Sequence, residues 1–186
     1  RSRGLGDVYK RQDKDTLLGE IPEISEGIYQ KDKLLFSGYF VKEKTAPEGF
    51  KLDDKAYFFT VSEDGKIVDV ESEAGVGFIN QPITGKLELT KTDVADGKPL
   101  PNAGFRIKDE DGNIVATGVT DKNGVATFML RYGKYTYQEY NAPEGYQIDE
   151  SEYPFEIKED GQIVKAKMTN AVSYTHLRAH ETSLHL

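Results

Sequence analysis

Alternating apolar and polar positions run along the C-terminal half of the chain and predict short β-strands. Leu87 and Leu89 are separated by one polar residue, and so are Tyr135 and Tyr137. Turn sequences divide these segments at 111–113 (DGN), 122–124 (KNG) and 159–161 (EDG). About seven strands with turns roughly every 8–12 residues are typical of an antiparallel β-sandwich, and no segment has a helical period.

A repeated segment indicates that the chain holds two copies of one module. Residues 43–70 (EKTAPEGFKLDDKAYFFTVSEDGKIVDV) align without a gap with residues 139–166 (EYNAPEGYQIDESEYPFEIKEDGQIVKA), at a constant offset of 96 positions. Self-similarity of this kind is the signature of tandem units with the same fold. The sequence therefore predicts two tandem antiparallel β-sandwich modules.

The two modules differ in length. Residues 86–171 contain all the predicted strands and form a complete repeat, whereas residues 13–81 lack counterparts of the segments GKLELTKTD and NAGFRIKD. We therefore interpret the first copy as a truncated repeat that lacks its first strands. Residues 82–85 (PITG) form a short linker, and its proline favours a stiff connection.

Both ends of the chain differ in character from the rest. Residues 1–12 (RSRGLGDVYKRQ) and 172–186 (VSYTHLRAHETSLHL) resemble translated sequencing-adapter read-through, so we interpret both as non-native segments. The second segment contains all three histidines, and His176 and His180 would share one face of a helix, as metal ligands often do. We expect no metal site there, because the segment is interpreted as foreign.

Composition disfavours several classes of partner and chemistry. The net charge is −8 at pH 7 and no basic cluster stands out, which argues against nucleic acid and anionic membrane surfaces as partners. Cysteine is absent, so disulfides and thiolate sites are impossible. No apolar run approaches the length of a membrane-spanning helix, and we expect no membrane insertion.

Three polar residues have the strand parity of apolar neighbours. Lys91 continues the parity of Leu87 and Leu89, and Glu139 and Asn170 continue two other apolar series. If those faces point into the core, all three side chains point there too, although such groups rarely enter a core unpaired. A polar residue at a strand end can instead reach out to solvent. Parity alone leaves both interpretations open, and the complementary chemistry of the three residues favours a site.

Three motifs resemble those of a known repeat family. LTKTD (89–93), GKYTYQEYNAPEGY (133–146) and KMTN (167–170) are similar to the lysine strand, the glutamate stretch and the closing asparagine strand of Cna-B repeats. These repeats of Gram-positive pilins and adhesins are also described as SpaA-like or prealbumin-like. The resemblance covers residues 86–170, and it implies an all-β fold of tandem immunoglobulin-like or prealbumin-like sandwiches.

The resemblance also implies a self-crosslinking reaction. Lys91 is the implied nucleophile, Asn170 the implied electrophile and Glu139 the implied proton shuttle of a Lys–Asn isopeptide bond. Burial lowers the pKa of a lysine, which makes a neutral, nucleophilic amine available. In the first module, Glu43 and Asn80 take the corresponding positions but the lysine strand is missing. We therefore predict no intramolecular bond there, and one consequence is that a peptide carrying that strand could react at Asn80.

These observations favour a structural role over catalytic turnover. The resemblance implies a stalk or spacer repeat of an adhesin or pilin, located outside the cell at the wall or pilus. The alternative is a module that binds a host matrix protein or carbohydrate directly. An enzyme is disfavoured, because residues 13–171 contain no histidine and the bond would form once per molecule. We expect no cofactor, and we expect neighbouring repeats of the parent protein as partners.

Overall fold

The structure, a computed structural model, describes residues 6–10, 13–72, 75–77 and 79–173. The described residues are all-β, and none of them belongs to a helix that could cross a membrane. Contacts divide the chain between Pro82 and Ile83 into an N-terminal unit and a C-terminal unit. The expectation of two tandem β modules is therefore confirmed. His176 and His180, the histidines considered above as possible metal ligands, lie outside the described residues.

One four-stranded antiparallel sheet dominates the N-terminal unit. Its strand order is β2-β1-β5-β6, and two short hairpins, β3-β4 and β7-β8, accompany it. The strands are β1 (Gly6–Lys10), β2 (Asp13–Ile21), β3 (Glu23–Ser25), β4 (Ile28–Tyr29), β5 (Ser37–Glu43), β6 (Ala56–Val61), β7 (Glu71–Ser72) and β8 (Gly75–Val76). Among the described side chains of this unit, Tyr39, Val41 and Phe59 form the buried apolar cluster.

Two sheets form the C-terminal unit. The strands are β9 (Thr84–Asp93), β10 (Gly104–Asp109), β11 (Ile114–Val119), β12 (Val125–Arg131), β13 (Gly133–Asn141), β14 (Glu152–Ile157) and β15 (Gln162–Asn170). The first sheet has the order β11-β10-β13-β14, and the second has the order β12-β9-β15. Strands β9 and β15 pair in parallel, and the other pairs are antiparallel.

Side chains from both sheets of the C-terminal unit share one core, which confirms the sandwich. The alternation predicted from the sequence is visible in β9, where every second residue from Gly85 to Lys91 is buried. The core comprises Leu87, Leu89, Ala103, Phe105, Ile107, Ala126, Phe128, Leu130, Tyr137, Ile157 and Met168. The apolar faces of the two sheets pack against each other, and this packing removes their apolar surface from water.

The N-terminal unit reproduces one of these two sheets. Strand β1 pairs with β5 so that Gly6 lies opposite Glu43, just as Phe105 of β10 lies opposite Glu139 of β13. Residues 6–10 thus occupy the sheet position of NAGFRIKD, which the sequence analysis expected to be missing from this unit. Ladder hydrogen bonds are made by backbone groups, so a segment of unusual composition can still fill a strand position. Whether residues 1–12 are of foreign origin remains a hypothesis.

Two predicted boundaries shift by a few residues. Thr84 and Gly85 were assigned to a linker, but they begin β9, where they pair with Arg131 and Leu130. Gly85 is packed so closely that an added Cβ would lie 2.8 Å from the carbonyl oxygen of Gln162. At the other end, Val172 forms a β-bridge with Tyr146, so the fold continues past residue 171.

Candidate functional site

Lys91 lies on the central strand of the smaller sheet and is fully buried. Its backbone N–H donates to the carbonyl of Gly124 at 2.7 Å, and its own carbonyl accepts from Leu100 N–H at 2.9 Å. These two bonds fix the backbone of Lys91 near the end of β9. The side chain has the same parity as Leu87 and Leu89, so the pleat of the strand directs it into the sandwich.

Glu139 comes from the facing sheet and receives the lysine. Lys91 Nζ donates to Glu139 Oε2 at 3.3 Å, and both side chains have 0% exposure. The backbone N–H of Asp149 donates to the same oxygen at 2.9 Å. The carboxyl group is therefore held by one donor from the opposite sheet and one from the segment that follows its own strand.

Asn170 completes the group at the end of the last strand. Its Nδ2 donates to Glu139 Oε1 at 2.9 Å, and the residue is 2% exposed. The parallel register of β9 and β15 sets Met168 opposite Lys91 and Asn170 opposite Asp93, which brings the carboxamide to the end of the lysine strand. Its Oδ1 is buried, and none of the described residues donates a hydrogen bond to it.

The surroundings favour an uncharged amine at Lys91. Burial lowers the pKa of Lys91, and the nearby carboxylates of Glu139 and Asp149 oppose this shift only in part. The ring of Phe105 lies 5.7 Å from Nζ, and the Lys91 side chain has no exposure to solvent. An ammonium without water is costly unless it is well paired. Moving its proton along the hydrogen bond to Glu139 would leave two neutral groups.

Asp149 is a positioning residue that the sequence analysis missed. Its N–H holds Glu139, and its carboxylate accepts hydrogen bonds from Tyr153 Oη at 2.7 Å and Ser151 N–H at 3.0 Å. These donors lower the pKa of the Asp149 carboxyl. The repeat contained the signal, since Asp53 and Asp149 stand 96 positions apart.

The N-terminal unit contains the carboxyl and carboxamide half of the same arrangement. Glu43 is 6% exposed, and its Oε2 accepts from Asn80 Nδ2 at 2.6 Å and from Asp53 N–H at 2.8 Å. Tyr57 Oη donates to Asp53 Oδ2 at 2.6 Å, as Tyr153 does to Asp149. No lysine among the described residues contacts Glu43 in the way that Lys91 contacts Glu139.

Equivalent backbone hydrogen bonds in the two units show that Asn80 and Asn170 occupy corresponding positions. Lys51 N–H donates to the carbonyl of Gln81, just as Gln147 N–H donates to the carbonyl of Ala171. Asn80 and Asn170 each immediately precede the accepting residue. The structure thus brings together Lys91, Glu139 and Asn170 in one unit, and Glu43 and Asn80 in the other.

A family model covers most of the chain. The SpaA model, described as a prealbumin-like fold domain, matches residues 7–74 and 85–172. The collagen adhesin of Staphylococcus aureus is 31% identical over 112 residues, which cover 55% of this chain and 9% of the adhesin. The trypsin-resistant surface T6 protein of Streptococcus pyogenes is 29% identical over 129 residues, or 69% of this chain and 21% of that protein. The chain therefore spans only a small part of these relatives.

Solved structures show the same fold. The TIE protein of Bacillus anthracis has a TM-score of 0.76 and 36% identity, over 92% of this chain and 31% of that chain. A C-terminal fragment of the pilus adhesin SpaC from Lactobacillus rhamnosus GG has a TM-score of 0.58 at 16% identity, over 91% of this chain and 89% of that fragment. The second likeness concerns the fold alone. By their names, the relatives include surface adhesins and pilus proteins.

Proposed function

Because the chain belongs to the SpaA family of prealbumin-like fold domains, we propose that it is a structural repeat of a Gram-positive adhesin or pilin whose C-terminal unit cross-links itself. The family match and the relatives' names support an extracellular location at the cell wall or pilus. The cross-link is an isopeptide bond between Lys91 and Asn170. The observation that carries this proposal is the fully buried Glu139, which is hydrogen-bonded to the amine through one oxygen and to the carboxamide through the other.

The reaction begins with a proton transfer. Glu139 takes a proton from Lys91 Nζ, which turns the ammonium into a nucleophile. A half-turn of the Asn170 carboxamide exchanges Nδ2 and Oδ1, so that the unpartnered oxygen faces Glu139 Oε1. The protonated carboxyl then donates to that oxygen and polarises the carbonyl carbon.

Bond formation releases ammonia. The electron pair of the neutral Lys91 amine attacks the Cγ atom of Asn170, and the Cγ–Nδ2 bond breaks. Glu139 carries the amine proton to the departing nitrogen, so one amine and one amide become one secondary amide and one ammonia molecule. The product has no buried ammonium, which removes the desolvation cost of the unreacted core.

The proposed bond suits a load-bearing repeat. It would join the first and last strands of the unit, β9 and β15, which enter and leave the sandwich. Force applied along the chain would then pass through a covalent tie instead of the hydrogen bonds between strands. By analogy with a disulfide that closes a loop of roughly 80 residues, the bond contributes about 4–5 kcal/mol to stability.

Intact-protein mass spectrometry tests the proposal. We expect the mass to be lower than the sequence mass by one ammonia, and a tryptic digest should yield a peptide pair linked through Lys91 and Asn170. Glu139→Ala should restore the full mass, whereas the matched variant Glu43→Ala should keep the ammonia loss. A wild-type protein of full sequence mass would contradict the proposal.

Direct ligand binding is the second candidate function. It is favoured by the name of the Staphylococcus aureus relative, a collagen adhesin. Surface plasmon resonance over immobilised collagen and glycans checks it. Saturable binding that persists in Glu139→Ala would assign a ligand site separate from the cross-link, and a flat response would leave the structural role.

A further inference from the structure

One loop segment of the C-terminal unit is bonded to the strands of the glutamate and of the asparagine. Residues 145–149 (GYQID) lie between β13 and β14. At the end of the segment, Asp149 N–H donates to Glu139 Oε2 at 2.9 Å. In its middle, Gln147 N–H donates at 2.9 Å to the carbonyl of Ala171, the residue that follows β15. The segment therefore connects two of the three strands that carry the reacting groups.

Tyr146 connects the same segment to the third of these strands, the one that carries Lys91. Its hydroxyl donates at 2.8 Å to Oδ2 of Asp93, the last residue of β9. Asp93 is only 9% exposed, so little water competes for its carboxylate. The hydrogen bond to Asp93 raises the pKa of Tyr146 above its ordinary value of 10.0. The phenol is therefore a hydrogen-bond donor well above neutral pH.

The bond from Tyr146 reaches β9 at the position that faces the reactive asparagine. The parallel register sets Asp93 opposite Asn170, and Val94 N–H donates to the Asn170 carbonyl at 3.0 Å. Tyr146 also forms a β-bridge with Val172, just beyond β15. Strand ends fray more readily than strand centres, because they have fewer neighbours. Tyr146 thus braces the ends of β9 and β15 where their spacing sets the approach of amine and carboxamide.

We propose that Tyr146 and Asp93 are positioning residues for the isopeptide reaction, and that their hydrogen bond keeps the Cγ atom of Asn170 in line with Lys91 Nζ. The inference rests on the proposed function and adds two residues to its machinery. Both act through the ends of β9 and β15, so they change the geometry of attack and not the proton transfers of Glu139. A misplacement of about 1 Å between reacting groups costs about 10²-fold in rate.

The repeat itself shows that the loop folds without this hydroxyl. Phe50 stands 96 positions before Tyr146, at the matching place of the N-terminal unit. Phe50 bridges Pro82 just as Tyr146 bridges Val172, so the backbone has the same pairing with either side chain. We therefore expect Tyr146→Phe to fold normally and to lose only the hydrogen bond to Asp93.

The rate of ammonia loss tests the proposed role. Cell-free translation of the full chain, with samples quenched in acid at intervals, follows this loss by intact-protein mass. We expect Tyr146→Phe to react about 10–10²-fold more slowly than the wild-type chain. Tyr135→Phe is the matched control, because the Tyr135 hydroxyl donates to the Arg131 carbonyl at 3.0 Å, at the far end of β13. This control should react at the wild-type rate.

Two further measurements separate positioning from a general loss of stability. Each variant is also made with Asn170→Ala, which cannot react, and hydrogen exchange then gives the fraction of the unit that is unfolded. We expect that fraction to be negligible, so the slower reaction belongs to the folded state. In an Asp93→Ala chain, Tyr146→Phe should cause no additional slowing, because the shared bond is already absent. Slowing that merely follows the unfolded fraction, or that multiplies in the double variant, would overturn the inference.

The same mass measurements distinguish failure of this inference from failure of the proposed function. If the wild-type chain loses ammonia and Tyr146→Phe loses it at the same rate, the positioning role alone is refuted. If the wild-type chain keeps its full sequence mass, the cross-link and the positioning role fail together.

Discussion

The two units carry the same repeated segment but end in different states. Both hold a buried glutamate through the N–H of an aspartate and the amide of an asparagine. In the C-terminal unit, β9 adds a lysine and closes the core, and Glu139 becomes completely buried. In the N-terminal unit, no described strand takes that place. The local repeat thus builds the glutamate and asparagine half of the site, which we call the acceptor half, while a distant strand supplies the lysine and the dry environment.

Replacing the two glutamates should give the largest difference between the units. Glu139→Ala removes the proposed proton shuttle, so the proposed bond worth about 4–5 kcal/mol is lost, and Lys91 remains in the core without its partner. Glu43→Ala removes only hydrogen bonds to a carboxylate, at a cost of about 1–3 kcal/mol. Hydrogen exchange followed by mass spectrometry checks this, because peptides from each unit report its own free energy of opening.

Repeating Glu139→Ala in a chain that already carries Asn170→Ala isolates the contribution of the proposed covalent bond to stability. In an Asn170→Ala chain no bond can form, so Glu139→Ala should then cost only the noncovalent contacts of the carboxyl. Equal losses in the two backgrounds would mean that no bond contributes to the wild-type protein.

The glycines at two turns give a smaller contrast. Gly124 has φ +70°, and an added Cβ would lie 2.5 Å from the Lys91 carbonyl oxygen and 3.0 Å from Leu100 N. Gly124→Ala should cost about 2–5 kcal/mol, from left-handed strain and overpacking together. Gly27 has φ +75° with no atom within 4 Å, so Gly27→Ala should cost only about 1–2 kcal/mol of strain. Urea unfolding of both variants checks this, and equal costs would mean that the approach to Lys91 carries no penalty.

Strand parity made part of the site predictable. A strand places every second side chain on one face, so the sequence alone put Lys91, Glu139 and Asn170 on apolar faces, and the structure buries all three. Which strands neighbour each other depends on long-range pairing. The meeting of these residues could therefore be anticipated only through the family resemblance.

Backbone groups account for most of what the sequence analysis missed. The N–H of Asp149 holds Glu139; the repeat shows that an aspartate recurs at this position, but no side-chain pattern shows that its backbone is the donor. The pairing of residues 6–10 with β5 was missed for the same reason, since ladder bonds depend little on composition. Thr84 and Gly85 were assigned to a linker because of the preceding proline, although the alternation of β9 already includes Gly85.

The pH dependence of stability should reveal the buried amine once the bond is blocked. Burial lowers the folded-state pKa of Lys91 below its ordinary value of 10.5, and we expect the same direction in Asn170→Ala. Between the two pKa values the unfolded chain binds a proton that the folded chain does not. The free energy of unfolding should therefore rise with pH in that interval, by at most about 1.4 kcal/mol per pH unit.

The matched control removes the amine and keeps the rest of the unit. In the double variant Lys91→Met with Asn170→Ala, the free energy of unfolding should rise less steeply with pH than in Asn170→Ala alone. The difference in slope is that of one proton, because tyrosines and other groups titrate alike in both chains. Urea titrations at several pH values between 7 and 10.5 measure the difference. Identical slopes would show that Lys91 titrates normally.

The smallest difference between the units should come from a tyrosine that both contain, and this tests whether their shared half is equivalent. Tyr153 donates to Asp149 at 2.7 Å, and Tyr57 donates to Asp53 at 2.6 Å. Removing either hydroxyl with Tyr153→Phe or Tyr57→Phe deletes one bond to a charged acceptor, at about 1.5–3 kcal/mol. Hydrogen exchange should show similar losses in the two units. A loss confined to the C-terminal unit would mean that the aspartate position matters only where the lysine is present, and that the acceptor half is not built by the repeat alone.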